Sequence, residues 1–524
     1  MIQYIIGTRA TTIPVVLLNN QDGEPILTYF NREPSMKRIL CCNVHLSLVS
    51  LLLAIIAVGG GCLRQPDRNG AKSSVSPLFP DQTAVEDLDA QLALFLDSHS
   101  QGRGLEYFML PGPNEYDKIP QDPNNPLTKL KVQLGRLLYH ETALGVNNVS
   151  DEGYETYSCA ACHFSRAGFM ANLPQGIGEG GIGFGDAGEA RSFSPLYDCF
   201  PYVPDCQPIR SPSVLNGAYQ ELMLWNGQFG GVAGNIGTED KWTPGTPLAS
   251  NNLGLQGLET QAHGGLQAHR MIDVGLSKIC AIPRYQRLYA LVFPGEQEPI
   301  NRLNTALAIA AYERTLLANE APFQKWLAGN KTAMTESEKL GAILFFGKAN
   351  CVSCHTGPAL NSMTFHAMGM NDLDGSYDSR VNLTPFGGTV PADTRKGRGG
   401  FTGHPEDEYK FKTPQLYNLA DSPFYGHGAS FGTLREVVEY FNTAVPENPI
   451  VPDGQLAVEF VPLGLSDDEM DNLVAFLTHA LHDGRLDRYE PKRLPSGNCF
   501  PANDPQSQLD LGCNPLSVAE HSGR

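Results

Sequence analysis

Cys159-Ala160-Ala161-Cys162-His163 and Cys351-Val352-Ser353-Cys354-His355 are two copies of one pattern, Cys-x-x-Cys-His. Two thiols at this spacing add to the two vinyl groups of one haem, and the His that follows supplies its imidazole to the iron. With 12 Cys and 13 His in 524 residues, chance alone gives about 0.007 such matches. Two matches therefore predict two covalently attached c-type haems, one held by Cys159, Cys162 and His163 and the other by Cys351, Cys354 and His355. His163 and His355 are the expected iron ligands. A zinc site or a redox dithiol is the competing chemistry, and export of the chain, argued below, disfavours it.

Working outward, each motif has a helix in front of it. Thr335 and Glu338 form a capping box, and Leu340, Ile343, Leu344 and Gly347 follow at helical spacing. Leu127, Leu130, Leu134, Leu137 and Leu138 mark the corresponding helix before the first motif. After the second motif, Ser466 and Glu469 cap a closing helix striped by Met470, Leu473, Val474, Leu477 and Leu481. A helix from Leu303 to Leu317 closes the first unit or leads into the second. Thr83 and Glu86 are expected to cap a further amphipathic helix through Val85, Leu88, Leu92, Phe95 and Leu96. The expected fold class is mainly α, with two tandem cytochrome c-like haem domains and long irregular loops. The boundaries are a leader at 1–62, an arm and linker at 63–125, a first haem domain at 126–330, a second at 331–486 and a C-terminal extension at 487–524. The 54 Gly and 38 Pro fit long irregular connections.

Lys+Arg 38 against Asp+Glu 56 gives a net charge of -18. So acidic a chain is a poor binder of nucleic acid through phosphate contacts. From Met36, Lys37-Arg38, an apolar run centred on Leu46 to Val58, and Gly59-Gly60-Gly61-Cys62 read as a secretory signal, with Met36 as an alternative start. Cys62 is a candidate lipid site, although Gly59 stands where a lipoprotein signal has Leu. The expected location is periplasmic or exported, with or without a lipid anchor. Oxidising conditions then make Cys199–Cys206 and Cys499–Cys513 candidate disulfides, with Cys280 left over.

Beyond the two motifs, KVQLGRLLYH (Lys131–His140), RSPSVLN (Arg210–Asn216), LWNG (Leu224–Gly227), LETQA (Leu258–Ala262), YERTLLANEAPFQKWLAG (Tyr312–Gly329) and the run from Phe411 to Asn442 are distinctive. Over roughly residues 125–485 the chain resembles the bacterial di-haem cytochrome c peroxidase and MauG family. The resemblance implies that the N-terminal haem is the site of peroxide chemistry. The C-terminal haem would take electrons from a small cytochrome c or cupredoxin, with Trp225 between the two. It also implies a distal Gln at Gln261, and family members are often homodimers.

Three departures stand out against that resemblance. The Glu and Met expected about ten residues beyond Gln261 are replaced by His269-Arg270-Met271. His269 as proton shuttle with Arg270 as charge stabiliser is one outcome; His269 as a sixth iron ligand, or both as structural residues, are the others. Second, about 26 extra residues between Trp225 and Gln261 are expected to cover or reshape the pocket. Third, the position of the sixth ligand of the C-terminal haem falls on Phe441, with Tyr440 adjacent and Met368 or Met370 as substitutes. A calcium site is doubtful because Arg210 stands where the family has Asn, although Pro423 is retained. No His occurs between Phe164 and Pro212, so the peroxidatic iron is expected to be open without prior reduction. Gly176–Gly181 fits Gly-x-Gly-x-x-Gly but reads as a tight loop, and His479 and His482 as a solvated helix end.

The expected activity is reduction of hydrogen peroxide to water, a cytochrome c peroxidase-type oxidoreductase reaction. A MauG-like oxidase acting on a partner protein or small organic molecule, and a non-catalytic electron carrier, are the alternatives. The catalytic candidates are Gln261, His269, Arg270 and Trp225.

Overall fold

In a computed structural model the described residues are 15–19, 25–29, 87–198, 202–273, 275–376, 378 and 380–513. The leader's signal and Cys62, together with Thr83, Glu86 and Cys199, lie outside them. The chain divides into two compact units, Met1–Pro77 and Leu78–Arg524. In the first, β1 (Val15–Asn19) pairs antiparallel with β2 (Pro25–Tyr29), Val15 opposite Tyr29.

The second unit is mainly helical. Along its first half run α1 (Leu88–Ser98), α2 (Lys129–His140), α3 (Gly257–Ala268), α4 (Ser277–Ala281), α5 (Pro283–Val292) and α6 (Arg302–Glu313). Its second half holds α7 (Pro322–Leu327), α8 (Glu336–Phe346), α9 (Ala392–Arg395), α10 (Arg398–Thr402), α11 (Leu434–Thr443), α12 (Asp467–Ala475) and α13 (Pro505–Asp510). The only sheets among the described residues of this unit are two-stranded: β3 (Gly181–Ile182) with β4 (Ser192–Phe193), and β5 (Phe365–His366) with β6 (Phe411–Lys412).

Local chemistry sets the helix starts. The Thr335/Glu338 and Ser466/Glu469 capping boxes form as the sequence predicts, each satisfying two backbone N–H groups that a helix start leaves orphaned. A third box, Thr433/Glu436, starts α11. Among the described residues α1 begins on Asp87, whose carboxylate accepts from the Ala90 N–H. Leu134, Leu137 and Leu138 of α2 are buried, but Leu130 lies on the solvent side of the first turn.

Two helix crossings define two cytochrome c-like domains. A Cβ built on Gly135 of α2 would lie 1.8 Å from Ala308 O and 2.9 Å from Tyr312 Cβ on α6. On Gly341 of α8 it would lie 1.9 Å from Asn472 O on α12 and 2.8 Å from Phe476 Cβ just beyond it. In both crossings a missing side chain lets one helix rest on the other's backbone, and each fixes a helix leading to a Cys-x-x-Cys-His turn. The helix expected over Leu303 to Leu317 is shorter, ending at Glu313, and it packs on α2.

The domains meet through an internal repeat, residues 210–230 against 412–432. Pro212 matches Pro414 and Trp225 matches His427. Asn216 and Asn418 both adopt left-handed backbone, φ 55° and 57°. Met223 bridges to Phe229 as Tyr425 does to Phe431. The contacts across the junction are reciprocal. Arg210 N–H donates to His427 O (2.9 Å), and Lys412 N–H donates to Trp225 O (2.7 Å).

The arms cross over. Asp89 of α1 accepts from Trp326 Nε1 (2.6 Å) and pairs with Lys339 of α8 (2.8 Å), tying the N-terminal arm to the second domain. The C-terminal arm instead lies on the first. Ser158 Oγ donates to Pro501 O (2.8 Å), Gly183 N–H donates to Asp504 Oδ1 (3.0 Å), and Cys499 and Cys513 form the expected disulfide. Cys280 is unpaired.

Candidate active site

Each Cys-x-x-Cys-His begins as one turn of 3-10 helix, Cys159–Ala161 and Cys351–Ser353, which turns both cysteines and the His to one side. All four cysteines are free thiols. They and both histidines line a single cavity of about 970 Å³ that spans the junction of the two domains. Such a volume is at the upper end of the roughly 300–1,000 Å³ typical of cofactor pockets. Burial pushes His163 and His355 down to about 4, so both imidazoles are neutral at pH 7, the form that ligates a metal. His355 Nδ1 is 3.1 Å from both Leu360 O and Pro414 O. Donating there leaves Nε2 with the lone pair toward the cavity. His163 Nδ1 is buried without a partner of good geometry. Free thiols, neutral imidazoles and a shared apolar cavity fit covalently attached haem.

The sequence-predicted distal residues sit on α3 and its C-cap. Gln261 and His269 line the cavity two turns apart on one helix face, with Gly265 between them. A Cβ on Gly265 would be 3.3 Å from Gln261 Nε2 and 4.0 Å from His269 Cδ2, so this glycine keeps open the space between the two polar groups. Tyr157, two residues before Cys159, donates its hydroxyl to His269 O (2.8 Å) and Arg270 O (2.9 Å). Met271 Sδ is 3.8 Å from Cys159 Sγ. The segment is thus tied to the first motif, not the second.

His269 has a partner that sequence reasoning missed. Its Nδ1 is 2.9 Å from Asp205 Oδ2; the carboxylate side chain is 4% exposed and the imidazole 39%, its free side turned to the cavity. The Asp205 charge is the main cause of His269 lying above its ordinary value, against desolvation. Arg270 does not reach the cavity. Its left-handed backbone (φ 52°) turns the side chain to Glu179 Oε2 (2.8 Å) and Val203 O (2.8 Å). Glu313, also missed, lines the cavity from the end of α6, with Oε2 unpartnered and burial pushing it up to about 8.

Trp225 is half-buried and lines the cavity at the domain junction. Its Nε1–H donates to Arg210 O (2.8 Å), and its ring centroid is 6.3 Å from that of its repeat mate His427. Phe411 stacks on His427 at 3.7 Å. Near the second motif Phe441, Met368 and Met370 line the cavity. Tyr440 instead spends its hydroxyl on Met368 O (2.5 Å).

The inserted segment reaches the site too, with Asp240, Lys241, Thr243, Pro247 and Leu248 on the cavity wall. Arg398 of α10 holds it, donating to Gly227 O (3.1 Å), Gly234 O (2.8 Å) and Asn235 Oδ1 (2.8 Å). Gly176–Gly181 is a loop packed under the first motif; a Cβ on Gly176 would be 3.3 Å from Cys162 Sγ. His482 pairs with Asp421 (2.8 Å). No cluster of three or more His, Cys, Asp and Glu placed to hold a metal occurs among the described residues. Nor is any described helix long and apolar enough to cross a membrane.

Two cytochrome c-like domains share one cavity, and each contributes a Cys-x-x-Cys-His to its wall. The family model of di-haem cytochrome c peroxidase matches residues 129–332. The methylamine utilization protein MauG of Methylorubrum extorquens is 27% identical over 368 residues, covering 69% of this chain and 81% of that protein. The cytochrome c551 peroxidase of Nitrosomonas europaea is 26% identical over 377 residues, 71% of this chain and 86% of that protein. A crystal structure of a MauG-like protein associated with microbial copper homeostasis superposes with a TM-score of 0.50 at 25% identity, covering 72% of this chain and 95% of that one. The chain is thus similar to MauG and to cytochrome c peroxidases over about 70% of its length, and to the di-haem cytochrome c peroxidase family model over residues 129–332.

Proposed function

We propose that the protein is an exported di-haem peroxidase that reduces hydrogen peroxide to water, with electrons from a small cytochrome c or cupredoxin entering at the C-terminal haem and used at the N-terminal one. The observation that carries this is the Asp205–His269 pair opening onto the cavity beside the first motif.

Bound haem iron supplies the redox centre at which the peroxide bond is cleaved. Cys159 and Cys162 would hold one haem and Cys351 and Cys354 the other, with His163 and His355 as the imidazoles that would ligate the irons. Peroxide cleavage needs a proton moved from the inner to the outer oxygen. With Nδ1 fixed on Asp205, His269 presents Nε2 to accept that proton and return it. The Gln261 amide orients the peroxide from the same helix face, and Gly265 leaves it room. Arg270 supports His269 only indirectly, through Glu179 and the backbone. Trp225 and His427 bridge the domains along the route electrons take. The acidic surface, net charge -18, favours a basic donor.

A MauG-like oxidase is the second reading, favoured by the cavity's extension to Lys241 and Thr243 on the inserted segment, which leaves space for an organic substrate. The test adds peroxide to fully oxidised holoprotein, followed by absorption and EPR, then measures turnover with a reduced cytochrome. Immediate change of the haem bands followed by turnover is expected, and His269→Ala should abolish both. No response before one haem is reduced would overturn the open site. Band changes without donor turnover would favour the oxidase.

A further inference from the structure

Arg210 and Lys412 occupy matching places in the repeat, and neither takes part in the chemistry above. Both are buried, 6% and 5% exposed, and both line the cavity between the motifs. Each reaches across the domain junction, and the reach is reciprocal. Arg210 Nη2 donates to Ser422 Oγ (3.1 Å) and meets Met170 Sδ (2.9 Å), while Lys412 Nζ donates to Gln220 Oε1, the repeat mate of Ser422. Neither side chain meets a carboxylate among the described residues, and Arg210 Nε has no partner at all. Burial holds both below their ordinary values, Arg210 at about 10 and Lys412 at about 7. Two buried cations with only neutral partners cost several kcal/mol each unless an anion offsets them.

We propose that Arg210 and Lys412 bind the propionate carboxylates of the two haems across the domain junction, and so set both reduction potentials. The proposal rests on the di-haem reading. Haem brings two carboxylates on its porphyrin edge into a cavity whose wall offers two cations, one from each domain. A guanidinium is the better matched of the two, since its fork takes a carboxylate through two N–H donors. An unneutralised propionate stabilises the ferric state, so a cation held against it raises the potential. Because each cation also bonds to the other domain, closing the junction and neutralising the haem edges become one event.

The experiment uses holoprotein carrying Arg210→Gln, Lys412→Gln or the charge-retaining Lys412→Arg. Haem is first counted by pyridine haemochrome, then each haem is titrated spectroelectrochemically. Each Gln variant should lower one haem's potential by at least tenfold in its reduction equilibrium, about 59 mV for one electron, and Lys412→Arg should stay within twofold of wild type. Potentials unchanged in Gln variants that hold two haems would overturn the propionate role and leave the di-haem reading standing. Fewer than two haems in wild type would instead remove the reading beneath it. If the Gln variants do not fold, wild-type protein labelled with 13C in the propionates provides the check by redox-induced infrared difference. Only ionised carboxylate bands are expected near pH 7, and a protonated carbonyl band would overturn the proposal.

Discussion

Replacing Gly135 by Ala adds one methyl group where two helices cross. The new Cβ would sit 1.8 Å from Ala308 O and 2.5 Å from Ala308 C, both backbone atoms of α6 that no rotamer can move. Ordinary C···O approaches stop near 3.3 Å, so the helices would have to part by about 1.5 Å. Overpacking of this kind costs about 1–3 kcal/mol. The helix propensity gained on Gly→Ala returns at most about 1 kcal/mol. A net loss of about 1–2 kcal/mol should lower the Tm by roughly 2–8 °C in a domain of this size. Gly265→Ala is the internal control. It makes the same exchange inside a helix, but its Cβ meets side chains alone, the flexible end of Gln261 at 3.3 Å and His269 at an ordinary 4.0 Å, so the Tm should hold or rise slightly. Thermal unfolding of both variants by far-UV circular dichroism, at matched haem content, decides the matter. A Gly135→Ala protein as stable as Gly265→Ala would refute the close crossing, and with it the placement of the first motif.

Asp205→Asn should move the acid limb of the peroxide rate profile to lower pH. The Asp205 charge raises His269, and the proton-accepting imidazole must be neutral; its loss should also lower the plateau rate by roughly 10²-fold or more as orientation is lost. The same raised value implies that the pair's contribution to stability is complete below about pH 6.5 and is lost as pH rises through the folded value. Urea unfolding of both proteins at pH 6 and pH 9 checks this, and equal pH dependence would exclude the pair. Cys499→Ser opens a loop with a sequence separation of 14, which removes about 3 kcal/mol of stabilisation. The arm holding Ser158 and Gly183 should loosen, read as faster proteolysis after residue 490 with the second haem's spectrum unchanged.

What the sequence determined is what covalent and local chemistry determine. The two Cys-x-x-Cys-His turns are legible by spacing alone, because both thiols and the His proposed to hold each haem lie within five consecutive residues. The capping boxes at Thr335 and Ser466 were legible for the same reason, each being settled within four residues. Gln261 was identifiable through its resemblance to a known pattern and His269 as a departure from that pattern, and the helix brings them to one face. Tertiary structure decided the rest. Asp205 belongs to a loop with no motif, and only folding brings its carboxylate to His269, 64 residues on. Arg270 was expected to stabilise charge beside His269, but its left-handed backbone turns it to Glu179. The reciprocal contacts of Arg210 and Lys412 exist only because two repeats pack face to face. Periodicity and spacing encode the neighbours of a residue along its own helix or turn, whereas partners brought together by chain closure depend on how whole domains pack.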